Sequence, residues 1–161
     1  GAQVIPADDG ETGGDPRGSG FFQSVGGNMN IKAEVAMKSL NIKGSQSTPT
    51  ILCNPDSGVM TMQGDSYPEN SFEFFGEVIE WVEQFLQHSA SPLQLDLQLI
   101  YMNTSSVKAM MDIFDLLEAA FEQNRAVSVR WYYDPDNERV VELAEEFKED
   151  CSFPFDILPH D

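Results

Sequence analysis

The chain has 161 residues, 41% hydrophobic and 11% aromatic, which suits one ordinary domain with a proper core and is short for two. Its formal net charge of −18 argues against nucleic acid as a partner, because an acidic surface repels phosphates instead of neutralising them. No apolar run reaches the ~18 residues needed to span a bilayer and no signal peptide opens the chain, so membrane insertion is not expected and a cytoplasmic location is.

Residues 1–36 carry eight of the twelve glycines and show no hydrophobic periodicity, so they read as a flexible N-terminal extension or an appended segment. Gly1 stands where a Met would, and Met37 opens the first patterned stretch. The folded domain is therefore expected over 37–161, which holds 22 acidic and 7 basic side chains. Short strands are expected at about 39–43, 49–53 and 58–63, with Asn54-Pro55-Asp56-Ser57-Gly58 as the turn between the last two. Residues 64–70 read as a loop.

A helix follows at about 70–88. Phe72, Phe75, Ile79, Val82 and Leu86 recur at helical spacing, and Phe74, Val78, Trp81 and Phe85 widen the apolar stripe. Residues 93–101 alternate strictly: Leu93, Leu95, Leu97, Leu99 and Tyr101 on a dry face, Gln94, Asp96 and Gln98 on a wet one. A second helix at about 105–124 turns Met110, Phe114, Leu117 and Phe121 inward and Asp112, Asp115, Glu118 and Glu122 outward, with Asn124 as its stop. Residues 126–133 alternate again. Asp134-Pro135-Asp136-Asn137 caps a third helix at about 137–150, and a last strand is expected over 153–158. The order βββ-α-β-α-β-α-β implies parallel pairing with right-handed crossovers, and the polar backs of two strands predict a sheet with helices mainly on one face.

Signals for catalysis are weak. His88 and His160 have no evident nucleophile, and no glycine-rich phosphate loop is present. Asp112, Asp115 and Glu118, like Glu142, Glu145, Glu146 and Glu149, read as solvated helix faces whose spacing demands no metal. Cys53 and Cys151 form neither a metal-type spacing nor a disulfide framework and read as free thiols. No cofactor, metal or catalytic residue is expected, and the chain reads as a non-enzyme.

One junction stands out. In Asn103-Thr104-Ser105-Ser106-Val107-Lys108, hydroxyls crowd where a strand becomes a helix. One of Asn103, Thr104 or Ser105 must cap the helix. The same unpaired N–H groups and the positive end of the dipole form a seat for phosphate, with Lys108 one turn further in.

The segments Gly64 to Ser71 (GDSYPENS), Tyr101 to Phe114 (YMNTSSVKAMMDIF) and Asn137 to Phe155 (NERVVELAEEFKEDCSFPF) resemble the SiaC family of biofilm-regulating phosphoproteins, over about 39–161. The resemblance implies a STAS-like mixed sheet in a single layer and a bacterial partner switch. A cognate serine/threonine kinase would phosphorylate Thr104 and a metal-dependent protein phosphatase would remove the group. The unphosphorylated form would bind a diguanylate cyclase, raise cyclic di-GMP and promote aggregation and biofilm. Asn103, Ser105, Ser106 and Lys108 would frame the phosphorylatable threonine, and the Tyr67-Pro68-Glu69-Asn70 loop would supply Tyr67, Glu69 and Asn70 to the partner surface. An antagonist of an anti-sigma factor, and a small ligand-binding protein using the uncovered sheet face or the Tyr67 loop, are the alternative expectations.

Overall fold

The computed structural model describes residues 37–160, and the expected extension over 1–36 lies outside them. Six strands, β1 (Leu40–Ile42), β2 (Thr50–Asn54), β3 (Val59–Ser66), β4 (Leu93–Met102), β5 (Val127–Tyr133) and β6 (Phe155–Pro159), form one sheet in sequential order. The first two pairings are antiparallel and the remaining three parallel. Each parallel step is bridged by a helix: α1 (Ser71–His88), α2 (Thr104–Glu122) and α3 (Glu138–Glu149). Three crossovers advancing in one direction, with the common right-handed sense, put all three helices on the same side, as the element order and the polar strand backs predict.

Side-chain alternation carries this layer. Cys53, Met60, Leu95, Val129 and Phe155 stand opposite one another across five strands, and every one is buried. One register step further, Ile51, Met62, Leu97 and Trp131 repeat the pattern. The interleaved row, Leu52, Thr61, Asp96, Arg130 and Asp156, lies on the face away from the helices. Onto the apolar face α1 sets Phe75, Val78, Val82 and Phe85, α2 sets Met110, Ile113 and Leu117, and α3 sets Val140, Ala144 and Phe147. Trp131 stacks with Phe147 at 5.7 Å and Phe114 meets the same ring edge-to-face at 5.0 Å, an aromatic knot under α2 and α3.

Turn chemistry sets the connections. Asn54 Oδ1 accepts the Asp56 N–H at 2.9 Å, and Gly58 closes the β2–β3 turn at φ 71°. A β-carbon on Gly58 would lie 2.2 Å from the Pro92 carbonyl oxygen, so only glycine fits. Asn124 at φ 69° ends α2 in the left-handed conformation that asparagine tolerates, and is the expected helix stop.

Two expectations are corrected. Phe72, placed inward by its spacing to Phe75, is 91% exposed. Its own helical row continues through Gly76, Glu80 and Glu83, which are all exposed, so the buried stripe runs from Ser71 instead. Tyr101, assigned to the dry face of β4, is 55% exposed. Gly64 pairs with Leu99 but Ser66 pairs with Met102, so β4 holds one extra residue there and its alternation slips by one position.

Candidate functional site

The hydroxyl-rich junction sits where β4 enters α2, at the C-terminal edge of the parallel strands. Asn103 is the cap: its Oδ1 accepts the Ser106 N–H at 2.9 Å, and its carbonyl accepts the Val107 N–H at 3.0 Å. Among the described residues no protein group takes the N–H groups of Thr104 and Ser105. The first turn of α2 holds no acidic residue, whereas α1 and α3 carry Glu73 and Glu138 in theirs. Within a strongly acidic protein this helix start keeps its positive end unneutralised.

Below the turn lies a buried clamp. Ser66, fully buried at the end of β3, accepts through its carbonyl both the Asn103 N–H at 2.9 Å and the Ser106 hydroxyl at 3.0 Å. The Ser66 and Ser106 hydroxyls are also 2.8 Å apart. Gly64, at φ 117°, lets β3 bend so that Ser66 meets Met102. To one side, the Ser71 and Ser105 hydroxyls stand 2.7 Å apart, joining the first turns of α1 and α2. Two helix N-termini therefore open side by side onto one spot.

Thr104, the first residue of α2, is exposed on this spot. Ser105 is exposed as well and donates its hydroxyl to Asn103 Oδ1 at 3.2 Å. Lys108 lies one turn on, 3.7 Å from Asp112 in an exposed ion pair that holds it only weakly. Tyr67 and Glu69 are exposed, and Asn70 caps α1 by accepting the Glu73 N–H at 3.0 Å. Ser106 belongs elsewhere: at 0% exposure it offers nothing to a partner, and its place in the expected contact set is corrected to that of an internal brace.

Three surrounding side chains were not assigned to the site from sequence. Phe72, on the first turn of α1, is 91% exposed; Tyr101 meets Tyr67 edge-to-face at 5.8 Å; Met111, two turns along α2 from Thr104, is 49% exposed. Phe72 and Tyr101 follow from the two packing corrections above, and no periodicity argument marks them. All three are exposed apolar side chains on an otherwise acidic molecule, carried by the elements that meet at this junction.

The remaining titratable groups point to structure. Glu118 accepts the Ser152 N–H at 2.7 Å, and that bond holds its carboxyl below the usual range. Among the described residues no group of three or more His, Cys, Asp or Glu side chains could hold a metal ion, and no helix is long and apolar enough to cross a membrane.

Comparison with known proteins decides the family. The model of the SiaC family regulatory phosphoproteins matches residues 42–160. The chain belongs to the SiaC family. A Pseudomonas aeruginosa relative, from strain UCBPP-PA14, is 63% identical over 125 residues, spanning 78% of this chain and 99% of that protein. The crystal structure of apo-SiaC from Pseudomonas aeruginosa is 61% identical and superimposes with a TM-score of 0.73, covering 76% of this chain and 99% of that one. A third match is SiaC from the crystal structure of the diguanylate cyclase SiaD in complex with its activator SiaC, also from Pseudomonas aeruginosa. It is 64% identical with a TM-score of 0.74 over 75% of this chain and 99% of that one. The expected family therefore holds, as does the expected mixed α/β architecture of one six-stranded sheet with three helices.

Proposed function

We propose that this chain is a non-catalytic switch that binds and activates a diguanylate cyclase while Thr104 carries a free hydroxyl, and releases it once Thr104 is phosphorylated. A relative 64% identical is described as the activator of such a cyclase, and its family is one of regulatory phosphoproteins. The observation that carries the reading is the exposed Thr104 on the first turn of α2, with two N–H groups beside it that no protein group takes among the described residues.

The mechanism follows from charge. A phosphate brings about −1.5 to −2 at pH 7, and the N–H groups and dipole at the start of α2 stabilise it in place. A partner seated on Phe72, Tyr67, Tyr101 and Thr104 would then have to bury that charge against an apolar contact. A penalty of ~2–3 kcal/mol weakens binding roughly 30- to 150-fold, sufficient for a switch. A serine/threonine kinase and a metal-dependent phosphatase need only reach an exposed hydroxyl, which the first turn of α2 presents. Release of the cyclase lowers cyclic di-GMP output; its capture raises output and favours biofilm.

The test pairs Thr104→Ala with Thr104→Glu against the Pseudomonas cyclase SiaD. Thr104→Ala is expected to bind and activate SiaD regardless of kinase, and Thr104→Glu to lose binding by at least tenfold. Equal activation by the two variants would overturn the reading.

A further inference from the structure

The C-terminal ends of β4 and β5 and the turn into α3 border a half-open cavity of about 720 Å³. Ile100 and Val140 give it apolar walls, Tyr132 and Tyr133 line it with half-buried aromatic rings, and Asp134 and Asp136 stand exposed where the turn forms its edge. Among the described residues no lysine or arginine lines it, and His160 is its one basic side chain. Asn137 Nδ2 lies 3.4 Å from the Ile100 carbonyl, which ties the α3 turn to β4 four residues before Thr104. The cavity and the Thr104 surface therefore share one edge of the sheet.

We propose that this cavity receives an arginine-led basic segment of the cyclase partner, a second anchor beside the Thr104 contact; the proposal rests on the docking reading given above. The chemistry of the walls selects the occupant. An arginine lays its aliphatic stem on apolar side chains such as Ile100 and Val140 while its guanidinium stacks on a tyrosine ring. The planar fork of the guanidinium then meets carboxylates of the kind Asp134 and Asp136 supply, a fit that an ammonium reproduces less well. A phosphate-bearing ligand is disfavoured by the same two carboxylates. The volume falls within the range of sites for ligands larger than one side chain, about 300–1,000 Å³, so the residues flanking the arginine also find room.

Binding of full-length SiaD to the full chain, measured at several salt concentrations, tests this. Asp134→Asn with Asp136→Asn keeps the turn, since asparagine can still accept the Asp136 N–H that Asp134 Oδ1 now takes at 2.9 Å. This double variant is expected to weaken binding by tenfold or more and to flatten its salt dependence, with an unchanged thermal melt. Glu145→Gln with Glu149→Gln, an equal loss of charge on the exposed face of α3, is expected to stay within twofold of wild type. Wild-type affinity and salt dependence in the cavity variant, with Thr104→Glu still losing SiaD, would overturn the second anchor and leave the switch standing. Loss in the cavity variant while Thr104→Glu binds normally would support the anchor and remove the switch. Equal weakening by the α3 control would reduce the effect to general charge and overturn the anchor. A thermal shift induced by free nucleotides, without loss of SiaD binding in the cavity variant, would assign the cavity to a small molecule and overturn it too.

Discussion

The Ser71 hydroxyl lies 2.7 Å from that of Ser105, joining the first turns of two helices whose caps, Asn70 and Asn103, are separate. The bond fixes how α1 and α2 present their N-termini to one point. Without it each start is an ordinary capped helix end; with it, the first turns of α1 and α2 are tied together.

Ser105→Ala removes this bond together with the one to Asn103 Oδ1, both at a partly exposed position. Because each net hydrogen bond contributes about 0.5–1.5 kcal/mol, the variant is expected to lose roughly 1 kcal/mol in urea unfolding. Ser71→Ala should lose less, since it deletes only the shared bond, and the double variant little more than Ser105→Ala alone. Fully additive losses would show that the two hydroxyls do not act as a pair.

Gly64→Ala isolates the bend that delivers Ser66. A β-carbon there meets only Pro49 Cα, at an ordinary 3.7 Å, so space is not the obstacle. The obstacle is φ 117°, outside the range an L side chain adopts without strain. A cost on the order of 1–3 kcal/mol is expected in urea unfolding. SiaD binding should fall as well, because the Ser66 clamp under Asn103 and Ser106 would shift. A wild-type midpoint would show that β3 does not need the glycine.

How far the sequence reveals this molecule depends on whether a feature is local. Helix and strand positions follow from periodicity within a single segment, and the structure matches them to within about three residues. The Asn54–Gly58 turn and the Asn124 stop follow from residue chemistry alone. Ser66 was hidden because its role depends on an extra residue in the neighbouring strand β4, at the place where Gly64 and Ser66 change register. The same slip exposes Tyr101, which a strict alternation places inside. Phe72 was misread for a different reason: an i, i+3 match to Phe75 is satisfied as well by a residue on the rim of the stripe. The Asn103 to Lys108 motif was legible as a helix start with a phosphate seat, but the burial that separates Ser106 from Thr104 and Ser105 comes only from packing against β3.

Phe72→Ala separates binding from folding. A side chain 91% exposed contributes little to the core, so thermal stability should stay within about 0.5 kcal/mol of wild type. Aromatic side chains that become buried in an interface dominate its energy, and SiaD binding should weaken by at least tenfold, roughly 1.4 kcal/mol or more. Tyr67→Ala is expected to act in the same direction with a smaller effect, since part of its ring is already covered by Tyr101. Unchanged affinity in Phe72→Ala would move the partner surface away from the start of α1.

The two thiols respond to pH in a direction set by burial. Desolvation pushes Cys53 up to about 12 in the interior and Cys151 up to about 11, where Glu118, Asp150 and Asp115 add to the effect. Both remain protonated at neutral pH, so a disulfide-exchange reagent at pH 8 should leave Cys53 untouched in the native protein and label it at an ordinary rate in urea. An unfolded thiol titrates near ~8.5. Each folded pKa is raised, so the stabilisation is fully present below that value and is lost as pH rises through about 11 to 12. Cys53→Val keeps an apolar side chain of similar size at this buried position and removes the titration. Its urea midpoint should therefore fall less steeply than wild type between about pH 8.5 and pH 11, the difference reporting the thiol. Parallel declines would show that Cys53 ionises as readily in the folded protein as in the unfolded one, which its place opposite Met60 in the buried row forbids.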